Sequence, residues 1–328
     1  MKKTILTGTL AAVVMTASAQ VPAEYEVAPW YGFKDCAITY SFDDLCANQL
    51  PIAIPILDRY NVKASLNIVT DWVKPEQWAK VKEAAMNGHE IAGHTVSHPN
   101  MGELTAEKFE AEQRDSKRIL EEKTGTEVIT MVYPYCVAAH EEISEKYYIS
   151  ARVCDGRVEP HTPKNMMRIS SKGVGTESDM NSAEAFNKWV DQGAKEKGWC
   201  TFLIHAIDGD GGYSPIKSTD LESHIKYVTG HPHKFWTATF AQVSKYIMER
   251  DAITIKETAQ KKAISIETGC KAKSDITKLD QPITISRALP QNWKKASVKE
   301  NGKKITSKTE NGKVIFDVVP GNTYTLYK

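Results

Sequence analysis

Seven short apolar runs, spaced by segments of helical period, fill residues 36–251 and restrict what this chain can fold into. Cys36–Phe42, Lys63–Val69, Glu90–His94, Val128–Tyr133, Ile149–Cys154, Cys200–His205 and Trp236–Ala238 read as strands. Asn48–Tyr60, Pro75–Met86, Thr105–Lys123, His140–Tyr147, Ser182–Lys197, Leu221–Val228 and Phe240–Asp251 read as helices. Such alternation predicts parallel strands joined by crossover helices, in α/β layers or a barrel. Ligands of either architecture meet the carboxyl ends of the strands. Asp43-Asp44, His94, Tyr133–Tyr135 and His205 all fall at such ends.

The pattern changes at about residue 252. Ala252–Ile255, Ala263–Ile266, Ile283–Ile285 and Val314–Val318 alternate with period two, and Asn301-Gly302 and Asn311-Gly312 are hairpin turns by composition. Residues 252–328 are therefore expected to form a small antiparallel β domain after a main domain at 20–251. Its expected role is packing against that domain, with glycan binding or completion of a cleft edge as the functional reading.

Residues 1–19 resemble a cleavable export signal: Lys2 and Lys3, a short apolar stretch from Ile5 to Met15, then Ala17-Ser18-Ala19 before Gln20. The stretch is too short to span a bilayer, and no cysteine stands at the cleavage point to carry a lipid. A periplasmic or secreted protein is expected, without membrane insertion. The formal net charge is +1, and losing Lys2 and Lys3 leaves 40 basic against 41 acidic residues. That balance supplies no field to recruit nucleic acid. Of the six cysteines, Cys36 and Cys46 flank one strand and lie too far apart to bond. Cys136 and Cys154 both follow strand-like runs and are the favoured pair. The absence of C-x-x-C argues against a thiolate zinc site.

Taken alone, Asp43-Asp44 reads as a solvated turn or a helix cap. Its companions change that reading. His94 and His98 are four apart, with Pro99 next, so a tight loop can aim both imidazoles at one ion. With one carboxylate they make a two-histidine, one-carboxylate set suited to zinc or another divalent ion and open to water and substrate. His89 is read as structural. The loop Asp208–Tyr213 follows His205; its glycines would let backbone approach a sugar, and Tyr213 could stack on it. The loop does not have calcium-hand spacing. No G-x-S-x-G is present, which removes the serine-hydrolase reading.

Ser41-Phe42-Asp43-Asp44, His94-Thr95-Val96-Ser97-His98, Tyr133-Pro134-Tyr135 and Leu203-Ile204-His205 resemble, in order and spacing, the motifs of the polysaccharide deacetylases of carbohydrate esterase family 4. The resemblance spans about residues 28–250, and Trp236–Arg250 with the β tail is similar to the arrangement in deacetylases of gut bacteroidetes. It implies an α/β fold, a distorted (β/α) barrel with the small C-terminal all-β domain behind it. It also implies metal-dependent removal of acetyl groups from an acetylated poly- or oligosaccharide. By that resemblance Asp44, His94 and His98 would hold the metal (Zn2+ first, Co2+ or another divalent ion next). Asp43 would be the base, His205 the acid, and the Tyr135 backbone N–H an oxyanion donor.

The sequence departs from that family in three places. Val132-Tyr133 stands where an arginine normally supports the base, so Arg152 on the neighbouring strand is the candidate cation. The Asp-x-x-Asp-Trp motif is missing, which leaves Asp208 and Asp155 as candidate partners of His205. Leu45 and Cys136 replace glycines. A catalytically silent carbohydrate-binding protein on the same scaffold is the first alternative, and an amidohydrolase acting on a small cyclic amide is the second. N- versus O-acetyl specificity and the glycan stay open.

Overall fold

The computed structural model describes residues 21–260 and 262–328. The export signal expected at 1–19 lies outside them. In chain order come β1 (Tyr25–Val27), β2 (Cys36–Asp43), α1 (Ile54–Arg59), β3 (Ser65–Ile68), α2 (Trp78–Met86), β4 (Glu90–Gly93), α3 (Ala106–Thr124), β5 (Thr130–Val132), α4 (Glu141–Ser144) and β6 (Ser150–Arg152). They continue with β7 (Lys172–Gly173), α5 (Ala183–Glu196), β8 (Trp199–Ile204), α6 (Ser218–Thr229), β9 (Phe235–Thr237) and α7 (Phe240–Ala252).

The strands of this part pair in parallel in the order β6-β5-β4-β3-β2-β8-β7, with β9 also on β2. The ring closes through residues 169–173. Ile169 bridges Arg152 of β6 in parallel, and β7, three residues later, pairs with Phe202 and Leu203 of β8. The alternation therefore resolves as a distorted barrel. β2 is buried along all eight residues because helices cover one face and the barrel interior the other.

Local chemistry fixes the ends of several elements. The Thr105 and Ser182 hydroxyls cap α3 and α5, and α7 starts with a Thr239–Gln242 capping box. Gly125, at φ 76°, closes α3 in the left-handed conformation that glycine adopts without strain. Two expected helices come out shorter. Pro51 and Pro55 lack amide hydrogens, so Asn48–Tyr60 opens as a wide π-type turn over 49–53 before α1. His140 takes φ 45°, and only one turn, α4, follows it.

Eight further strands follow α7: β10 (Ile253–Ala259), β11 (Ala263–Cys270), β12 (Ile283–Ala288), β13 (Ser297–Glu300), β14 (Lys303–Ile305), β15 (Ser307–Glu310), β16 (Lys313–Val318) and β17 (Thr323–Tyr327). They form two antiparallel sheets, β10-β11-β17-β13-β14 and β1-β12-β16-β15. Asn301-Gly302 and Asn311-Gly312 make the β13–β14 and β15–β16 turns with positive φ at both residues, as a type I′ hairpin requires. β1, from the N-terminal side of the chain, pairs with β12. One apolar cluster runs from Trp30, Trp199, Trp236 and Phe240 into Ile266, Ile285, Phe316 and Leu326. This shared core seats the β sheets on the main domain and leaves the strand ends that carry the site elsewhere.

Candidate active site

Asp43 ends β2, and Asp44 follows at φ 72°. Alternation along a strand would send these two side chains to opposite faces. The left-handed turn at Asp44 brings both carboxylates to the His94 imidazole instead. His94 Nε2 lies 3.4 Å from Asp44 Oδ1 and 4.0 Å from Asp43 Oδ2. His98 Nε2 lies 3.8 Å from Asp44 Oδ1, and His205 Nε2 lies 3.8 Å from Asp44 Oδ2. Leu45 continues the turn at φ 53°, and Cys136 sits at φ 62°. Both stand where the resembled family has glycine, so side chains here occupy a conformation that costs about 1–2 kcal/mol each.

The histidine loop is held by its own residues and by α3. Thr95 Oγ1 accepts from the His98 N–H at 3.0 Å. Glu112 accepts from the Val96 and Ser97 amides and from the Ser97 hydroxyl. His94 Nδ1 lies 3.0 Å from the Val132 carbonyl. A carbonyl only accepts, so Nδ1 carries the hydrogen and Nε2 presents its lone pair to Asp44. His98 is packed between rings, with the Trp72 centroid at 5.0 Å and the Tyr135 centroid at 4.7 Å. Burial and the neighbouring His94 hold the His98 imidazole below its ordinary pKa, against the pull of Asp44 and Asp43. It is therefore biased toward the neutral form that binds metal.

Asp43 has a different environment. It is buried, with Arg152 Nη2 on Oδ2 at 2.5 Å and the Asn67 side-chain amide donating to Oδ1 at 2.7 Å. Burial alone would raise its pKa. Arg152, His94, His205 and the Asn67 hydrogen bond together outweigh burial and hold the carboxyl below its ordinary value. Arg152 also donates to Ser171 Oγ at 2.8 Å, and that hydroxyl donates to the Val153 carbonyl. Gln49 joins two strand ends by donating to the carbonyls of Asp43 and His205.

His205 follows β8. Its Nδ1 is buried and has no hydrogen-bond partner among the described residues. The two carboxylates considered for it are engaged elsewhere. Asp208 accepts from the Ser218 amide, and Asp155 pairs with Arg157. Neither is a hydrogen-bond partner of the imidazole, which corrects the expectation for each. His89 accepts from the Ala64 amide and contacts Asp58, a structural arrangement. Cys136 and Cys154 are disulfide-bonded, tying the Tyr135 turn to the end of β6.

Asp44, His94 and His98 offer ligand atoms that all lie within 4.8 Å of one another. The fit to a divalent cation rests on a further observation: Asp44 Oδ1 is buried, lacks a hydrogen-bond partner among the described residues, and faces two imidazole nitrogens. A cation would compensate that oxygen.

Asn67, Gln49 and Trp72 were not singled out from the sequence. Asn67 had a visible signal, as a polar residue inside the apolar run Ser65–Ile68. Gln49 and Trp72 had none.

Residues 32–146 match the family pattern of polysaccharide deacetylase. Among curated proteins, the chain is 27% identical to a gellan lyase of a Bacillus species over 309 residues, which is 87% of this chain and 12% of that protein. It is 28% identical to chitin deacetylase 1 of Cryptococcus neoformans var. grubii over 158 residues, 45% of this chain and 32% of that one. The chain thus spans at most about a third of the length of either relative. A crystal structure of a Mycobacterium smegmatis protein assigned to the polysaccharide deacetylases superposes with TM-score 0.54 at 15% identity, covering 68% of this chain and 95% of that one. That likeness concerns the fold.

Proposed function

We propose that the chain, whose residues 32–146 match the polysaccharide deacetylase pattern, is a metal-dependent hydrolase that removes acetyl groups from an acetylated poly- or oligosaccharide outside the cytoplasm. The observation that carries this reading is the split of one carboxylate pair. Asp44 faces two imidazoles through an otherwise unpartnered oxygen, while Asp43 is held ionised by Arg152.

Asp44, His94 and His98 would hold the ion, with Zn2+ first and Co2+ next by donor chemistry. A divalent ion there supplies Lewis-acid polarisation of the acetyl carbonyl and acidifies a water. Asp43 takes the proton of the attacking water on the carboxylate that Arg152 and Asn67 orient. The Tyr135 backbone N–H donates to the oxygen that gains charge as the carbonyl becomes tetrahedral. His205 gives a proton to the departing amine or alcohol.

A second reading has an observation of its own. The unpartnered Nδ1 of His205 leaves the acid without the support the reaction favours, which suits a silent carbohydrate-binding protein on this scaffold. Acetate release from a panel of N- and O-acetylated glycans, in zinc, cobalt and chelator arms, separates the two. Release with zinc or cobalt that chelator stops is expected; none on any glycan in any arm would favour the binding protein.

A further inference from the structure

The near-neutral total conceals an uneven division of charge. Residues 252–328 carry 15 lysines and arginines against 7 aspartates and glutamates, while residues 1–251 carry the other 27 against 34. The β domain is therefore at +8 and the rest of the chain at −7. Such an excess on a small domain repels itself and favours association with an opposite charge. Three of the seven acids are engaged away from the surface lysines. Glu257 accepts from Tyr25 and Arg287, Asp317 from Tyr31 and Thr284, and Glu300 from Asn322 and Tyr324. Lys262, Lys294, Lys295, Lys303, Lys304 and Lys328 are exposed and form no ion pair among the described residues.

Many of these lysines belong to one sheet. In β10-β11-β17-β13-β14, Ile264, Ile266, Tyr324, Leu326 and Val298 point into the shared core. The residues alternating with them make the opposite face. There the register aligns Thr258, Ser265, Thr325, Lys299 and Lys304 in one row across all five strands. At ordinary strand spacing that row is about 19 Å long. Lys299 and Lys304 stand directly opposite each other, a like-charge pairing that weakens a sheet. The acid of this face among the described residues is Glu267, which pairs with Lys256 across from it at 3.7 Å. Lys299 also lies 4.9 Å over the Tyr327 ring. Lys262 and Lys328 adjoin the paired Ala263 and Tyr327, and Lys294 and Lys295 shortly precede Ser297 on the next strand, so four further lysines gather at that end of the sheet.

We propose that this face of the β domain is a docking surface for an anionic polysaccharide, a sugar polymer bearing uronate or similar carboxylate groups, and that it holds the hydrolase on such a polymer. The choice of a sugar polymer rests on the deacetylase reading, and the choice of an anion rests on the charge of the face alone. The hydroxyls of Thr258, Ser265 and Thr325 can exchange hydrogen bonds with sugar hydroxyls, and the lysines beside them match carboxylates repeated along a chain. Tyr327 is the exposed large apolar side chain on this face among the described residues, which is too little to seat it in a bilayer. The face lies on the β sheets and apart from the strand ends that carry Asp44 and His205. It therefore raises the local concentration of polymer and leaves the chemistry untouched.

The test is fluorescence-anisotropy titration of end-labelled oligogalacturonate with the full protein, beside end-labelled dextran oligomers as the neutral control and flotation with phosphatidylglycerol vesicles. The unaltered protein should bind the oligogalacturonate and not the dextran, and the affinity should fall about tenfold between 50 and 200 mM salt. The double variant Lys299→Gln, Lys304→Gln should bind about tenfold more weakly at the lower salt. Lys304→Glu, which gives Lys299 an opposite charge, should weaken binding at least as much while Tm stays the same or rises. Acetate release by these variants from a neutral acetylated oligosaccharide should stay within about twofold of the unaltered protein. No binding of oligogalacturonate, equal binding of dextran, or binding that the variants leave intact would overturn the proposal. So would flotation with vesicles by a protein that ignores oligogalacturonate. A fall in Tm alongside the loss of binding in both variants would also overturn it, because the lysines would then serve the sheet. Binding is read without acetate release. A protein that binds but releases no acetate refutes the deacetylase reading alone, and one that releases acetate but does not bind refutes this proposal alone.

Discussion

Replacing Arg152 by methionine removes the cation of a pair that is almost wholly enclosed. Arg152 and Asp43 have side-chain exposures of 2% and 4% and meet at 2.5 Å. Taking about 4 Å between charge centres and an effective dielectric near 20, their attraction is about 4 kcal/mol. The larger consequence is the charge left behind. Asp43 would keep only the Asn67 amide as a neutral donor, and breaking a buried pair on one side costs about 3–5 kcal/mol. For a protein of this size that corresponds to a fall in melting temperature of about 5–8 °C. Adding Asp43→Asn to Arg152→Met removes the stranded charge, so the double variant should be less damaged than the sum of the two single changes by about 2–4 kcal/mol. Urea denaturation of the four proteins at pH 7 in chelator, which keeps bound metal from masking the change, measures that coupling. Additivity within about 0.5 kcal/mol would refute the argument that Arg152 holds Asp43 ionised.

Three other outcomes follow from the same physical reasoning. Burial pushes the Glu249 carboxyl up to about 7 from an ordinary 4.5, while both its oxygens accept from the Gln281 amide. The unfolded chain gives up that proton near 4.5 and the folded chain near 7, so the folded state loses stability as pH rises through this window. Glu249→Gln keeps an acceptor and should therefore stabilise the protein by about 1–3 kcal/mol at pH 8 and by little at pH 4.5. Equal melting shifts at both pH values would contradict this. The Cys136–Cys154 bond closes a loop across 18 positions, so the Cys136→Ser, Cys154→Ser double variant should lose about 3 kcal/mol in denaturant titration. A change under 1 kcal/mol would mean that the cross-link constrains the unfolded chain little. Amino-terminal sequencing of protein recovered from outside the cytoplasm should begin at Gln20; retention of Met1 would contradict export by cleavage.

The strand ends were legible because two local signals coincide at them. An apolar run marks a buried strand, and the polar residue that stops it marks where the chain leaves the barrel. Asp43, His94 and His205 were found in this way, and both Asn-Gly turns were read from backbone preference alone. Pairings between distant segments were not legible. β7 has two residues and no period, and Ile169 joins β6 by a single bridge, so nothing local announces the segment that closes the ring. The pairing of β1 with β12 joins residues more than 250 positions apart. Arg152 could be nominated for Asp43 because it lies on a neighbouring strand, whereas its guanidinium also needed Ser171 at the right height. For His205 the same reasoning named two carboxylates that pair instead with the Ser218 amide and Arg157, partners that sequence proximity to His205 does not reveal. Trp72 gives no signal because an isolated aromatic after a strand is ordinarily core; its place beside His98 depends on backbone hydrogen bonds to a loop over twenty residues away.

The central claim is that Asp44, His94 and His98 hold one ion on which acetate release depends. Elemental analysis of zinc-loaded, desalted protein, run beside acetate release on an acetylated oligosaccharide, tests it most directly. The unaltered protein should carry about one zinc per chain and release acetate. Asp44→Ala and His94→Ala should lose both, and Asp43→Asn should keep the zinc and lose most turnover. Acetate release at the unaltered rate from zinc-free Asp44→Ala or His94→Ala protein would contradict the account.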